Sequence, residues 1–322
     1  MGHATKAVET IALLLIWFCG TSALADTFGL GTAGPGNWGV LETGTGQVSF
    51  SGGNTSTPSG ISVNTGATGS QANLGINSGG SLNSASTTVI NGTYYKHTGN
   101  SGDSVAGTTI VGGTVQNLTP GDTTITQAVA TATTASTTLG LLANTQTPPN
   151  LNNPSSSVTI TGVAGRNVIN VPIISLGNNI SLTLSGPAGA SWVVNVTGAG
   201  TNGGITLNTS QILVGGGVTD ANVILNVIGS GANVTASGNG DIVDGILMDL
   251  GGMESLNAVT VNGEVISGGA ISMSNGGDVQ VVPTGPIVPE PSVAAYFTLG
   301  PLSLMAVMLF RMHPFARGKR PP

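Results

Sequence analysis

Ile180-Ser181-Leu182-Thr183-Leu184 and Ile205-Thr206-Leu207-Asn208 decide the fold, because apolar and polar side chains alternate in both. Successive side chains of a strand point to opposite sides, so one side of each stretch is apolar and inward while the other meets water. Comparable runs are Val158 to Ile160, Trp192 to Val196, Ile212 to Val214, Val223 to Val227, Val259 to Val261 and Ile271 to Met273. Ile246-Leu247-Met248 continues the series between Asp244 and Asp249. Nearer the N-terminus the runs shrink to pairs, Val48/Phe50, Ile61/Val63, Leu74/Ile76, Val89/Ile90 and Ile110/Val111, separated by Gly, Ser, Asn and Thr. A flat sandwich asks for longer strands. Short strands between Gly or Asn corners suit a β-solenoid, where each coil stacks its backbone ladder and its interior residues on the next. No strict repeat length accompanies the pattern.

Composition supports this reading. With 52 Gly among 322 residues, 6% charged and 4% aromatic, helix is disfavoured almost everywhere. One segment departs from the rule. After Pro120-Gly121, with Asp122 or Thr123 as cap, Ile125, Ala128, Val129, Ala132, Ala135, Leu139 and Leu142 recur at helical spacing, and Pro148-Pro149 lies beyond. The spacing predicts one amphipathic helix over about 123–143. Its Thr-rich middle, Thr131 to Thr138, has poor propensity, so it must depend on packing against strands. The Asn/Ser-rich stretch Asn144 to Ser157 reads as an insertion.

Both ends read as targeting segments. Ile11 to Phe18 is apolar after Lys6, and Ala23-Leu24-Ala25 supplies a small-x-small cleavage pattern before Asp26, so residues 1–25 are expected to be a signal peptide, with a helical apolar core. At the other end Pro289-Glu290-Pro291-Ser292 precedes an apolar run over 293–310, followed by Arg311, Arg317, Lys319 and Arg320. A helix of that length spans about 27 Å, close to the thickness of a hydrocarbon core, and is expected to be transmembrane. Basic residues stay on the cytoplasmic side, which places everything before Pro289 outside that membrane.

This order closely resembles the PEP-CTERM sorting signal of Gram-negative bacteria, over Val288 to Arg320. The resemblance implies that an exosortase recognises Pro289-Glu290-Pro291 in the tail (286–322), after signal peptidase has acted between Ala25 and Asp26. It also implies passage through the inner membrane to the cell surface or extracellular matrix. The ectodomain, 26–285, carries a second resemblance. Leu30-Gly31-Thr32-Ala33, Trp38-Gly39-Val40-Leu41, Asn73-Leu74-Gly75-Ile76, the helix near Ile125 and Val261-Asn262-Gly263-Glu264-Val265-Ile266-Ser267-Gly268-Gly269 look like a choice-of-anchor A domain. That domain is similar to the ice-binding-like fold, which implies an all-β, right-handed β-solenoid with one flanking α-helix.

The ectodomain has two basic residues, Lys96 and Arg166, against eleven acidic ones, so it lacks the clustered cations a nucleic acid requires. The only cysteine, Cys19, lies in the signal segment, which leaves the mature chain without disulfides. Catalysis finds little to work with: His97 is the single ectodomain histidine, no cysteine can act as nucleophile, and no Gly-x-Ser-x-Gly elbow is present. No catalytic residue is therefore assigned. Asp241, Asp244, Asp249 and Glu254 form the densest acidic cluster, and Gly238-Asn239-Gly240-Asp241 has the look of a calcium turn. Ca²⁺ at Asp241 and Asp244 is the only cofactor the sequence suggests; the favoured reading makes both solvated corner residues, with no metal and no cofactor. Trp38 and Trp192 sit beside aliphatic runs and read as core.

The expected function is that of a non-enzymatic surface or matrix protein, adhesive or associated with exopolysaccharide in a biofilm. The alternative is a ligand-binding module, for ice or carbohydrate, with a solenoid face bearing Thr159, Thr161 and Thr206.

Overall fold

A computed structural model of the chain describes residues 28–34, 37–51, 61–63, 73–84, 88–97, 102–105, 108–111, 114–119, 121–200, 203–274 and 280–281. The signal segment, the sorting motif, the apolar run 293–310 and the basic end lie outside them. Among the described residues no helix is long and apolar enough to cross a membrane.

The expected solenoid of short strands is present. Among the described residues every strand pairing is parallel, and the strands fall into a 16-stranded and a 7-stranded sheet. The larger sheet covers two sides of the coil, because Asp241–Asp249 and Val259–Ser267 run over a corner and belong to both. Gly245 makes the bend possible: its φ of 137° suits glycine, and a Cβ there would lie 2.9 Å from Val223 Cγ1. The smaller sheet forms the third side.

Coil order does not follow chain order. The stack starts with Val158–Thr161 and continues through Ser181–Gly186, Gln211–Gly216, Asp241–Asp249 and Val259–Ser267. On that last coil sits Trp38–Glu42, followed by Asn73–Ile76, Tyr94–His97 and Val115–Leu118. The early part of the chain thus completes a solenoid whose other end is built from its middle. Corners of unequal length hide the repeat. One register position passes through Val158, Leu182, Ile212, Val243 and Val261, at intervals of 24, 30, 31 and 18 residues.

Nine rungs at about 4.8 Å place the two ends about 38 Å apart. Helix α1 (Thr124–Gly140), 17 residues and about 25 Å long, carries the chain back over much of this length, on the way from the last rung to the first. Asp122 takes one donor of the first turn, its Oδ1 accepting the Thr124 N–H at 2.8 Å. Ile125, Ala128, Ala132, Ala135 and Leu139 are buried against Val168, Val193, Ile224, Ile246 and Ile266, the outward apolar residues of one face. Val129 and Leu142 are partly buried beside them.

Three asparagines in register, Asn170, Asn195 and Asn226, hold the C-terminal half of the helix. Asn195 Nδ2 donates to Leu139 O at 2.9 Å, Asn170 Nδ2 to Leu142 O at 3.0 Å, and Asn226 Nδ2 to Ser136 O at 3.1 Å. These amides tie the end of the helix and the turn after it to the neighbouring rungs. The stretch Asn144 to Ser157, read as an insertion, packs on the solenoid. It covers the open edge of the first coil, with Leu151 buried and Ser175 N–H donating to Leu151 O at 2.8 Å.

Candidate functional site

The 7-stranded face presents a regular surface. Its inward residues are mostly apolar, among them Ile174, Ile205, Val234, Leu256, Ile271 and Phe50, all buried in the central core, with Glu254 and Ser84 as buried polar exceptions. Outward, one register column reads Ser175, Thr206, Thr235, Ser255, Ser272, Ser49 and Asn83. Isolated bridges add Asn152 at one end and Ser104 at the other. A second column places Asn257 beside Ser274 and Ser51. Every outward residue of these seven strands is uncharged. Among the described residues, the hydroxyls of Thr206, Thr235, Ser255, Ser272 and Ser49 form no hydrogen bond to protein, so they are available to whatever meets the face. In-register stacking keeps the column straight, with a hydroxyl every 4.7–4.9 Å, about the inter-strand spacing.

The threonines expected to share one array are divided between two faces. Thr206 belongs to the hydroxyl column, whereas Thr159 and Thr161 pair with Thr183 and Ser185 on the larger sheet. That second face loses regularity at once. Leu213 and Gly215 follow at the next rung, and Asp244 then stands beside Asn262.

The expectation that Asp241 and Asp244 are solvated corner residues is not met. Asp241 is 1% exposed and Asp244 9%. Asp241 accepts the Ser210 N–H at 2.7 Å and the Gly238 N–H at 2.8 Å, so it ties a corner to the neighbouring coil. Asp244 accepts the Val214 N–H at 3.1 Å and the Asn262 amide at 2.8 Å. Corner backbones expose N–H groups that the ladder leaves unpaired, and a buried carboxylate is the acceptor. Asp220 lies near Asp244; burial, then the negative charge of Asp244, pushes its carboxyl up to about 6. Among the described residues no group of three or more His, Cys, Asp or Glu side chains is placed to hold a metal ion. His97 ends a strand, half-buried.

No family model matches the chain, and no curated protein does. Among solved structures it is similar to ice-binding proteins. One, from the Antarctic ascomycete Antarctomyces psychrotrophicus, shares 21% identity at a TM-score of 0.45, covering 80% of this chain and 98% of that one. Another, from an Arctic yeast, shares 18% at 0.48, covering 82% and 98%. A third, from an Antarctic Flavobacteriaceae bacterium, shares 16% at 0.49, covering 82% of this chain and 49% of that one.

The hydroxyl column left a signal in the sequence that periodicity alone does not rank. Ile174-Ser175-Leu176, Ile205-Thr206-Leu207, Val234-Thr235-Ala236, Ile271-Ser272-Met273 and Val48-Ser49-Phe50 are all apolar-hydroxyl-apolar triplets. In a chain this rich in Ser and Thr, only stacking shows that these five share a column.

Proposed function

We propose that the chain is an exported, non-catalytic binding protein whose 7-stranded face docks on an ordered lattice, ice in the first place. The observation that carries this reading is the straight, charge-free column from Ser175 through Thr235 to Asn83. Water oxygens hydrogen-bonded at about 2.75 Å in a tetrahedral network have second neighbours about 4.5 Å apart. Rungs about 4.8 Å apart follow that repeat with a mismatch of about 0.3 Å per step, so about four hydroxyls stay in register before the fit slips. A polysaccharide is the weaker occupant for this face, since none of its outward residues offers an aromatic ring to a sugar.

Thr235→Glu, in the middle of the column, puts a bulky charge where the lattice must sit. It is expected to reduce inhibition of ice recrystallisation at least about ten-fold, the loss of a few contacts worth about 1 kcal/mol each, with unchanged circular dichroism. Thr159→Glu, on the other face, should leave inhibition intact. If the wild-type protein does not inhibit recrystallisation, or if Thr159→Glu is the damaging change, this assignment of the face fails.

The export half of the proposal rests on the two ends as read in sequence: cleavage after Ala25, recognition of Pro289-Glu290-Pro291 by an exosortase, and a basic end held in the cytoplasm. It makes the binding face available at the cell surface or in the matrix, where an adhesive or exopolysaccharide-associated role would also be exercised. Deleting 289–322 is expected to change the mass and the cell fraction of the mature protein. The same mass and the same fraction in the truncated chain would refute the sorting step.

A further inference from the structure

A pocket of about 250 Å³ opens on the helix side of the solenoid, away from the hydroxyl column, between the first turn of α1 and the strands Trp38–Glu42, Asn73–Ile76 and Tyr94–His97. Asn37, Trp38, Asn73, Tyr95, Thr124 and Gln127 line it. Part of this lining is fixed in place. Trp38 Nε1 donates to Thr32 O at 2.7 Å, and its indole lies over Gly75, where a Cβ would come within 2.5 Å of the ring. Asn73 spends both ends of its amide, donating to Asn37 O at 2.6 Å and accepting the Thr93 N–H at 2.9 Å. The Tyr95 ring meets Trp38 edge to face, centroids 5.4 Å apart, and is thereby held at the pocket wall.

The rest of the lining is unspent. Among the described residues, the Tyr95 hydroxyl and the Gln127 amide form no hydrogen bond to protein. A half-buried phenol ring next to a free amide offers an apolar plane and neutral donors and acceptors at its rim. The site does not suit an anion, although it lies at a helix N-terminus. The Asp122 carboxylate already takes the Thr124 N–H and leaves a negative charge there. Among the described residues no Lys, Arg, Asp or Glu lines the pocket. We infer that it binds a single pyranose ring of a neutral saccharide, whose C–H face covers Tyr95 while its hydroxyls meet Gln127 and the Tyr95 hydroxyl.

The test is saturation-transfer NMR on the full chain with the methyl glycosides of glucose, galactose and mannose, and with glucuronate as the charged control. At least one neutral glycoside is expected to bind with a dissociation constant of about millimolar order, more tightly than glucuronate. Gln127→Ala, at an exposed helical position, and Tyr95→Phe, which keeps the ring, should each weaken binding about three- to ten-fold, one hydrogen bond apiece. Thr235→Glu should leave it unchanged, so failure here is distinguishable from failure of the ice-face reading. Absence of binding by all three glycosides, equal or tighter binding of glucuronate, or binding that survives both pocket substitutions would each overturn the assignment.

Discussion

Replacing Trp192 with Ala is expected to lower the unfolding free energy by about 3–5 kcal/mol, while replacing it with Phe should cost about 1 kcal/mol or less. Trp192 is fully buried in the central core, in register with Asn167 on one side and Val223 on the other. Truncation to Ala empties the largest side-chain volume of the interior, and parallel rungs locked to their neighbours cannot collapse to refill it. The Phe variant separates packing from polarity. Among the described residues the indole Nε1 has no hydrogen-bond partner, and a buried unpaired donor costs about 1–3 kcal/mol. Phe removes that donor together with part of the apolar area, and the two effects oppose. Urea denaturation of the three proteins decides the matter: an Ala variant within about 1 kcal/mol of wild type would show that the indole is not a core element. Solenoid coils depend chiefly on nearest neighbours, so the loss should be concentrated in coils 158–236.

Much of the architecture is legible because a strand's period is short. Ser181-Leu182-Thr183-Leu184 displays its two sides within four residues, and the inward set, Leu182 and Leu184, is buried as the alternation predicts. The helix is equally plain, since Ile125, Ala128, Ala132, Ala135 and Leu139 describe a buried stripe that no strand would produce. What sequence does not carry is the stacking order. Nothing local tells Val40 to pair with Val265, or sends Thr159 and Thr206 to different sides. Corners of variable length also disguise the recurrence of Asn170, Asn195 and Asn226, each preceded by two aliphatic residues and followed by Val. The buried acids are misread for a related reason. Gly238-Asn239-Gly240-Asp241 has the composition of a solvated turn, yet Asp241 is buried and accepts the turn's own Gly238 N–H and the Ser210 N–H of the neighbouring coil.

The same feature, carboxyls turned inward at corners, leads to the second large effect: the protein is expected to be more stable at pH 5 than at pH 8. Asp249, Ser267 and Glu42 occupy one register column, with Glu254 close to Asp249. Glu42 accepts the Gly44 N–H at 2.8 Å and the Gly46 N–H at 2.9 Å, and Asp249 accepts the Gly251 N–H at 3.1 Å. Their second oxygens, and both oxygens of Glu254, meet no donor among the described residues. Burial outweighs the backbone donors and pushes Glu42 and Asp249 each up to about 7. Glu254 is raised well above the usual carboxylate range by burial and then by the charge of Asp249. A carboxyl with a raised pKa binds its proton more tightly when folded. Its contribution is therefore complete below the unfolded value of about 4 and is lost as pH climbs through the folded one. Asp220, raised to about 6, acts in the same direction. Lys96 lies in the same column beyond Ile76, but its charge is engaged by Asp103 at 2.8 Å. Asp103 and Asp122 are lowered, so their contribution is lost only as pH falls through values under about 4, outside this window. The fall from pH 5 to pH 8 should amount to at least about 2 kcal/mol, read as a lower urea midpoint at the higher pH. Glu42→Gln combined with Asp249→Asn keeps an acceptor oxygen at each corner and removes both titrations, so its midpoint should vary much less over the same range. A wild-type midpoint that is flat or rises from pH 5 to pH 8 would mean that these carboxyls are hydrated in the folded protein, and that the corners are not sealed as the packing of Glu42, Asp249 and Glu254 requires.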